Sequence, residues 1–426
     1  MYNLTNSKLP GKLVTRKTCR VCEKGNLEEI LSLGNQNLIN FIEGEDEISL
    51  SAPLELVLCN KMNGGCGLSQ LRHTVPNELL YRQFWYKSGI NQTIKNDLED
   101  IVRKAENIID LRAKDLVVDI GANDGTLLRN YKNKNIRTIG FEPATNLMTE
   151  AKIGTTQIIN DFFMATSFFK QFSAEKAKIV TSISMFYDLE NPNEFVEDIV
   201  KILDSDGIWI LQMNYLVGML ENNAFDNIVH EHLEYYSLQS LESLLNRHSL
   251  SIFDVEQNNI NGGSVRAYIK HKDCDKFTIS SNVEKVRDYE KKLKLDNYET
   301  YNKFANRIKK LKTQIFDFVE NEVNNGNSVY VYGASTRGNT LLQYFNLNNK
   351  LIKYAVERNP SKWGKTIVGT NIKIISEKQA REENPEFMLV LPWYFIDEFE
   401  EREREYLEKG GKFIVPLPDF RIIALK

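Results

Sequence analysis

Residues 116–128 read Leu-Val-Val-Asp-Ile-Gly-Ala-Asn-Asp-Gly-Thr-Leu-Leu. The apolar run Leu116, Val117, Val118 has the character of a strand buried on both faces, as in a parallel sheet. It ends on an acid, Asp119. Gly121 and Gly125 follow with Asn123 between them, and then an amphipathic segment begins. Strand, tight turn and helix in that order set the first helical turn against a ligand. Glycines in the turn let the backbone approach that ligand with no Cβ in the way. The spacing is not the G-x-G-x-x-G of dinucleotide folds. Further strands are expected at 138–141, 156–159, 179–182, 208–212, 251–255 and 264–269, with helical stretches between all but the last two. That pattern predicts an α/β domain with a mostly parallel sheet and a final antiparallel hairpin.

The strand at 138–141 runs into Glu142, placed where an acid binds both ribose hydroxyls of an adenosine. Asp119, Gly121, Asn123, Gly125 and Glu142 together resemble the S-adenosylmethionine (SAM) site of class I methyltransferases. Asp161 follows the third strand and is positioned to accept from the adenine amino group. Phe162 beside it either stacks on that ring or packs in the core.

The chain has 426 residues, enough for two or three domains with cores of their own. Charged residues make up 26% and the net charge is −4, so there is no basic stripe to suit nucleic acid. The first residues lack the apolar core of a signal peptide, and no apolar run reaches about 18 residues. A cytoplasmic protein with no membrane partner, monomeric or weakly homo-oligomeric, is expected.

Four of the five cysteines fall in two pairs before residue 70: Cys19 with Cys22, and Cys59 with Cys66. Two turns can each supply two corners of a Zn2+ tetrahedron, and four thiolates leave no open position for chemistry. The metal is therefore expected to staple a hairpin-rich module. Four aromatics follow at Tyr81, Phe84, Trp85 and Tyr86, in a segment running toward the SAM-type domain.

Asp226–Ser237, DNIVHEHLEYYS, concentrates two histidines, two glutamates and two tyrosines after the fifth strand of the sheet. It should lie near the carboxyl end of the strands, where ligands bind. His-Glu-His lacks the i, i+4 spacing of zinc-binding helices. It suits a histidine base held by a carboxylate, Glu231 or Glu234. A second strand-glycine-helix unit begins at Val329. Its turn, Gly333-Ala-Ser-Thr-Arg-Gly338, offers backbone N–H groups, the Ser335 hydroxyl and Arg337, and Lys362 follows the next strand. These suit phosphate oxygens, in a smaller Rossmann-like C-terminal domain.

In this order the pieces resemble the nucleotide-sugar C-methyltransferases, which act on nucleotide-linked 4-keto-deoxysugars. The carriers are the two cysteine pairs, CGLSQL at 66–71, VVDIGANDGTLL, GFEPA at 140–144, HEHLEYYS at 230–237, NGGSVR at 261–266, GASTRGNT at 333–340 and VERNPSKWG at 356–364. The resemblance implies a zinc domain at 1–75, a SAM-dependent methyltransferase domain at 76–280 and a nucleotide-sugar-binding domain at 281–426. It implies His232 as base with Glu231 assisting, His230 beside them, and a carbon acceptor activated as an enolate. The product would be a branched sugar for a polysaccharide or glycoside. Tyr86, Tyr235 or Asn91 could donate to the enolate oxygen. Three departures stand out: the longer second cysteine pair, Val229 where a tyrosine is usual, and Ser-Met-Phe-Tyr-Asp-Leu at 184–189 where a histidine-containing segment is usual. Sugar O-methylation, or a zinc-containing binding protein with a silent methyltransferase domain, are the rival readings.

Overall fold

The computed structural model describes residues 2–3, 13–38, 41–42, 50–76, 80 and 87–425. The amino-terminal module is built on an antiparallel hairpin, β1 (Leu27–Asn37) with β2 (Leu50–Cys59), and a short strand β3 (Ser69–Leu71) on the other side of β2. Inward residues of β2, Leu54, Leu56 and Leu58, alternate along the strand and are buried, as the two-residue side-chain period requires.

Helix α1 (Gln92–Ile108) starts at Asn91, whose side chain accepts from the Ile94 N–H. It buries Ile94, Leu98, Ile101, Val102 and Ala105, one stripe at helical spacing. The central sheet follows: β4 (Leu116–Ile120), β5 (Arg137–Phe141), β6 (Gln157–Ile159), β7 (Ala177–Ile183) and β8 (Leu203–Asn214). Every residue of β4 is buried. That explains the unbroken apolar run: a strand at the middle of a parallel sheet meets helices on both faces.

After β8 the chain makes the two-residue strand β9 (Glu234–Tyr235), then the hairpin β10 (Leu250–Asn258) and β11 (Ser264–His271). The spatial order is β6-β5-β4-β7-β8-β11-β10, parallel through β8 and antiparallel thereafter. The order reverses at β4, so ligand space opens above the carboxyl ends of β4, β5 and β7.

Helix α2 (Ser281–Leu293) packs on β10, and its Glu290 accepts from the Tyr215 hydroxyl and the Leu238 and Gln239 N–H groups. It thus belongs with the central sheet in space. Helix α3 (Tyr298–Asn324) leads to the third sheet, burying Phe304, Ile308, Leu311, Ile315 and Val319, and ends before Gly326 at positive φ. That sheet contains β12 (Val329–Tyr332), followed by helix α4 (Thr336–Tyr344) and β13 (Ala355–Glu357). Strands Phe387–Val390, Lys412–Val415 and Ile372–Ser376 run parallel with them.

The three sheets share strands across the chain. Phe41–Ile42, from the amino-terminal segment, pairs with Thr366–Ile367 at the edge of the third sheet. Likewise β9, which follows the central strand β8, pairs with β3 of the amino-terminal sheet. Among the described residues no helix is long and apolar enough to cross a membrane.

Candidate active site and zinc cluster

The four sulfurs of Cys19, Cys22, Cys59 and Cys66 lie within 4.8 Å of one another. Cys19 and Cys66 are 3.5 Å apart, as are Cys22 and Cys59. A tetrahedral Zn2+ with sulfurs at 2.3 Å would set them ~3.8 Å apart, so the donor set fits that ion with a small relaxation. The Val21 N–H lies 3.4 Å from the Cys19 sulfur and the Cys66 N–H 3.4 Å from that of Cys59. Backbone donors of this kind share a thiolate's negative charge. The longer loop of the second pair is absorbed by a turn of 3-10 helix, Lys61–Asn63, capped by Asn60 and closed at Gly64 with φ 79°.

A cleft of about 430 Å³ opens above the central sheet, within the usual size range of small-molecule sites. Asp119, Gly121, Asn123, Glu142, Asp161 and Phe162 are among its lining. Gly121 has φ 75°, and a Cβ there would meet Met185 at 3.0 Å, so only glycine keeps this floor open. The Glu142 carboxylate accepts from the Asn123 N–H at 2.8 Å and the Ala144 N–H at 2.7 Å. That ties the turn after β4 to the end of β5. Asp119 accepts from the Thr181 hydroxyl at 2.6 Å, and burial lifts its carboxyl to about 7. Burial raises Glu142 as well. Gly125 is not on the cleft wall. With φ 78° it caps the helix after the turn, where a Cβ would strike the Ala151 carbonyl at 2.7 Å.

Tyr187, Asp188, Glu231, His232, Ser335 and Arg337 line the same cleft. His232 Nδ1 is 2.8 Å from the Asn227 carbonyl. A carbonyl only accepts, so Nδ1 carries the proton and Nε2 keeps its lone pair. Burial, helped by the charge of Arg337, depresses the imidazole to about 3, and burial lifts Glu231 to about 7. The ring of Tyr187 stands edge-on to His232, centroids 4.4 Å apart.

Several expected residues are elsewhere. His230 is buried against the amino-terminal module, its Nε2 3.2 Å from the Ala52 carbonyl. A turn closed by the His232 N–H on the Val229 carbonyl at 3.1 Å separates the two histidines. Tyr235 spends its hydroxyl on the His232 carbonyl at 2.9 Å and the Asn227 carbonyl at 3.3 Å. It shapes the loop and does not line the cleft. Asn91 is a helix cap. Tyr86 and the rest of 81–86 lie outside the described residues. In the C-terminal turn the expected anion cradle is already engaged by the chain. The Glu357 carboxylate accepts from the Ala334 N–H at 3.2 Å, and Lys362 pairs with Glu357 at 3.2 Å and donates to the Ala334 carbonyl. Ser335 Oγ caps α4 by accepting from the Gly338 N–H. Arg337 lies 2.7 Å from Asp226 in a buried ion pair, with its guanidinium 4.6 Å from the centre of the Tyr394 ring.

The sequence did not single out Asp97 and Gln212, which also line the cleft. Both are bound to the fully buried Arg266: its Nη2 donates to Asp97 at 2.8 Å, its Nε to Gln212 at 2.8 Å. Arg266 is the arginine of the NGGSVR stretch, which was noted as a motif without a role. Asp188 was missed too. Burial among Glu231 and Glu234 raises its carboxyl well above the ordinary range, and its Oδ1 makes no hydrogen bond. The one available signal was an acid just past the end of β7, at the ligand edge of the sheet.

A strand-glycine-helix turn, a ribose-type acid and a neutral histidine on one cleft, beside a four-thiolate cluster, define a SAM-dependent methyltransferase with a structural zinc module. Family models agree in chain order: "Putative zinc binding domain" matches residues 19–81, "Methyltransferase domain" residues 91–254, and "C-methyltransferase C-terminal domain" residues 259–418. The C-methyltransferase NovU of Streptomyces niveus is 30% identical over 411 residues, 95% of this chain and 96% of that one. The chain belongs to this C-methyltransferase family. Among solved structures, a SAM-dependent methyltransferase from Clostridium acetobutylicum covers 41% of this chain and 91% of its own, at 13% identity and TM-score 0.33. The N-methyltransferase NodS of Bradyrhizobium japonicum covers 43% of this chain and 98% of its own, at 13% identity and TM-score 0.32.

Proposed function

We propose that the enzyme methylates a carbon next to the ketone of a nucleotide-linked sugar, with His232 as the base. The observation that carries this is the protonation pattern of His232. Its Nδ1–H is committed to the Asn227 carbonyl, which leaves the lone pair on Nε2, on the same cleft as Asp119 and Glu142. SAM, when bound, supplies an electrophilic methyl group. Glu142 would hold its ribose, Asp161 its adenine amino group and Phe162 the ring face. A carbon acts as a methyl acceptor only as a carbanion equivalent, so a proton must leave it. Nε2 takes that proton, and Nδ1 stays fixed by its carbonyl, which keeps the ring aimed throughout. Glu231, once ionised, favours the imidazolium that results.

The imidazole by itself is a weak base, because burial and Arg337 both oppose its charge. An anionic substrate beside Arg337 would cancel part of that opposition. Ser335 and Arg337 line the cleft and are the groups proposed to meet the diphosphate. Lys362, turned to Glu357, is not. The division of labour is then a zinc module at 1–75, methyl transfer in 76–280 together with α2, which packs on the central sheet, and nucleotide-sugar binding in the rest of 281–426, and the enzyme would serve the biosynthesis of a branched sugar. A panel of nucleotide-linked keto sugars incubated with enzyme and SAM tests this. A product methylated on carbon, located by carbon NMR, is expected. Methylation of a hydroxyl with no new carbon–carbon bond would overturn it.

A further inference from the structure

The loop carrying His232 is built into the zinc module. Leu71, the last residue of β3, donates its N–H to the Leu233 carbonyl at 2.8 Å, and Glu234 and Tyr235 sit opposite Gln70 and Ser69 in an antiparallel pair. His230, two residues from the base, is held on the Ala52 carbonyl of β2. From the other side, Leu233 donates to the Tyr187 carbonyl at 2.7 Å. Glu234–Tyr235 is thus an edge strand of the amino-terminal sheet, though in sequence it lies between two strands of the central one, and the turn carrying His232 leads straight into it.

One side chain joins the cysteine cluster to this arrangement. Arg20 lies inside the first knuckle, between Cys19 and Cys22, and its side chain has no exposed surface. Nη1 donates to Gln70 Oε1 at 3.1 Å and to the Leu71 carbonyl at 2.6 Å, and Nη2 to the Thr74 hydroxyl at 2.6 Å. Nε donates to Glu190 at 3.2 Å, and the Arg20 backbone N–H also donates to Gln70 Oε1. Every contact of the guanidinium is to β3, to the residues just after it, or to Glu190, which follows the 184–189 segment of the cleft. Glu234, buried opposite Gln70, has one oxygen on the Tyr236 hydroxyl and the other with no hydrogen bond; burial raises its carboxyl well above the ordinary range, and the Arg20 charge and the Tyr236 hydroxyl oppose that rise only in part.

We propose that Arg20 is a positioning residue for methyl transfer: it carries the geometry of the four-cysteine cluster through β3 to the loop that aims His232. This rests on the reading of His232 as the base. It separates two jobs that a simple staple would merge, because the hydrogen bonds of Arg20 run to β3, Thr74 and Glu190, and β3 pairs with the strand that ends the His232 loop.

The test compares wild type, Arg20→Ala and Arg20→Lys by hydrogen exchange of the 228–237 peptide, zinc content, SAM affinity by calorimetry, and kcat with KM. In Arg20→Ala the peptide should lose protection, while one zinc per chain and the SAM dissociation constant, within about two-fold, are retained. The kcat should fall by ~10²-fold, the scale of a misaimed group, with KM for SAM little changed. Arg20→Lys keeps the charge and one or two of the donors, and should recover part of the loss. Should Arg20→Ala not fold, Thr74→Val, which removes one acceptor of the guanidinium, carries the same comparison with smaller changes. Unaltered exchange in the 228–237 peptide overturns the proposal and leaves His232 as the base. Lost protection with undiminished kcat also overturns it, and takes the base assignment with it. Equal losses of SAM affinity and kcat overturn it in favour of general destabilisation.

Discussion

Replacing His232 by alanine separates chemistry from folding, because the structure bounds each cost. The imidazole makes one hydrogen bond, Nδ1–H to the Asn227 carbonyl. That carbonyl also accepts from the Tyr235 hydroxyl at 3.3 Å, so it is not orphaned by the change. Losing a bond of this kind costs about 0.5–1.5 kcal/mol. The edge-on contact with Tyr187 adds about 0.5–1.5 kcal/mol. The ring faces a cleft that water can refill, so no closed cavity is made. The fold should therefore lose about 1–3 kcal/mol, visible as a modest drop in melting temperature. A positioned base contributes ~10²–10⁴ in rate, about 2.7–5.5 kcal/mol of barrier. The kcat should fall by that factor with SAM affinity unchanged, since the contacts of the imidazole are to the Asn227 carbonyl and the Tyr187 ring, neither of which is proposed to hold SAM.

Solvent deuterium gives the sharper reading. With S-adenosylhomocysteine bound, wild type should wash deuterium into the sugar at the carbon beside the ketone, and the variant should not. If the variant exchanges as fast as wild type, the proton goes to another group, and Asp188 and Glu231 are the candidates on that cleft. If neither protein exchanges, yet both methylate a hydroxyl, carbon methylation is refuted.

Glu142→Ala should weaken SAM binding by about 1.5–3 kcal/mol, the worth of hydrogen bonds to a charged group; an unchanged dissociation constant by calorimetry would place the ribose elsewhere. Arg337→Gln should raise KM for the nucleotide sugar and spare SAM affinity. It should also cost stability, about 3–5 kcal/mol at most, because it leaves buried Asp226 without its cation, so denaturant unfolding must accompany the kinetics. Burial holds Glu231 up to about 7, protonated below and charged above. At saturating SAM, kcat should climb as pH rises through about 7 and then level, and Glu231→Gln should flatten that limb. A raised carboxyl stabilises the fold fully below its unfolded value of 4.5 and loses that contribution as pH rises through about 7. The apo protein should thus unfold more readily across that window, and the glutamine variant should show less of the change.

The strand-turn-helix at 116–128 was readable because all its determinants are local: an apolar run, two glycines and an acid one strand later. The cysteine pairs were readable for the same reason, since thiols in two close pairs have few other uses. At the C-terminal turn the sequence did not show which groups the chain itself engages. Its glycines and hydroxyls look like an anion cradle, but the anion that the structure shows there is Glu357, 21 residues past Thr336 and recognisable only once β12 and β13 are paired. Only the family resemblance, and no local signal, set His232 apart from His230. The turn that parts them contains no glycine, proline or asparagine to announce it, and is imposed by β3 pairing with β9 and by Ala52 taking up the His230 ring.

That last point explains why one loop ties the three parts of the chain together. Asp226, at its start, is held by Arg337 from the third sheet, and Trp393 donates to the same carboxylate oxygen at 3.2 Å. Asn227, next in sequence, fixes the proton on His232. Glu234 and Tyr235, at its end, are strand partners of the amino-terminal module. The loop has little regular structure of its own to hold a shape, so its geometry is set by what grips its two ends. A change at either grip should then be felt at Nε2 without any contact to substrate. The two grips differ in kind: strand pairing on one side, and on the other the buried Asp226–Arg337 ion pair. Substrate binding and base alignment would meet at Arg337, and the zinc module would hold the other end still while they do.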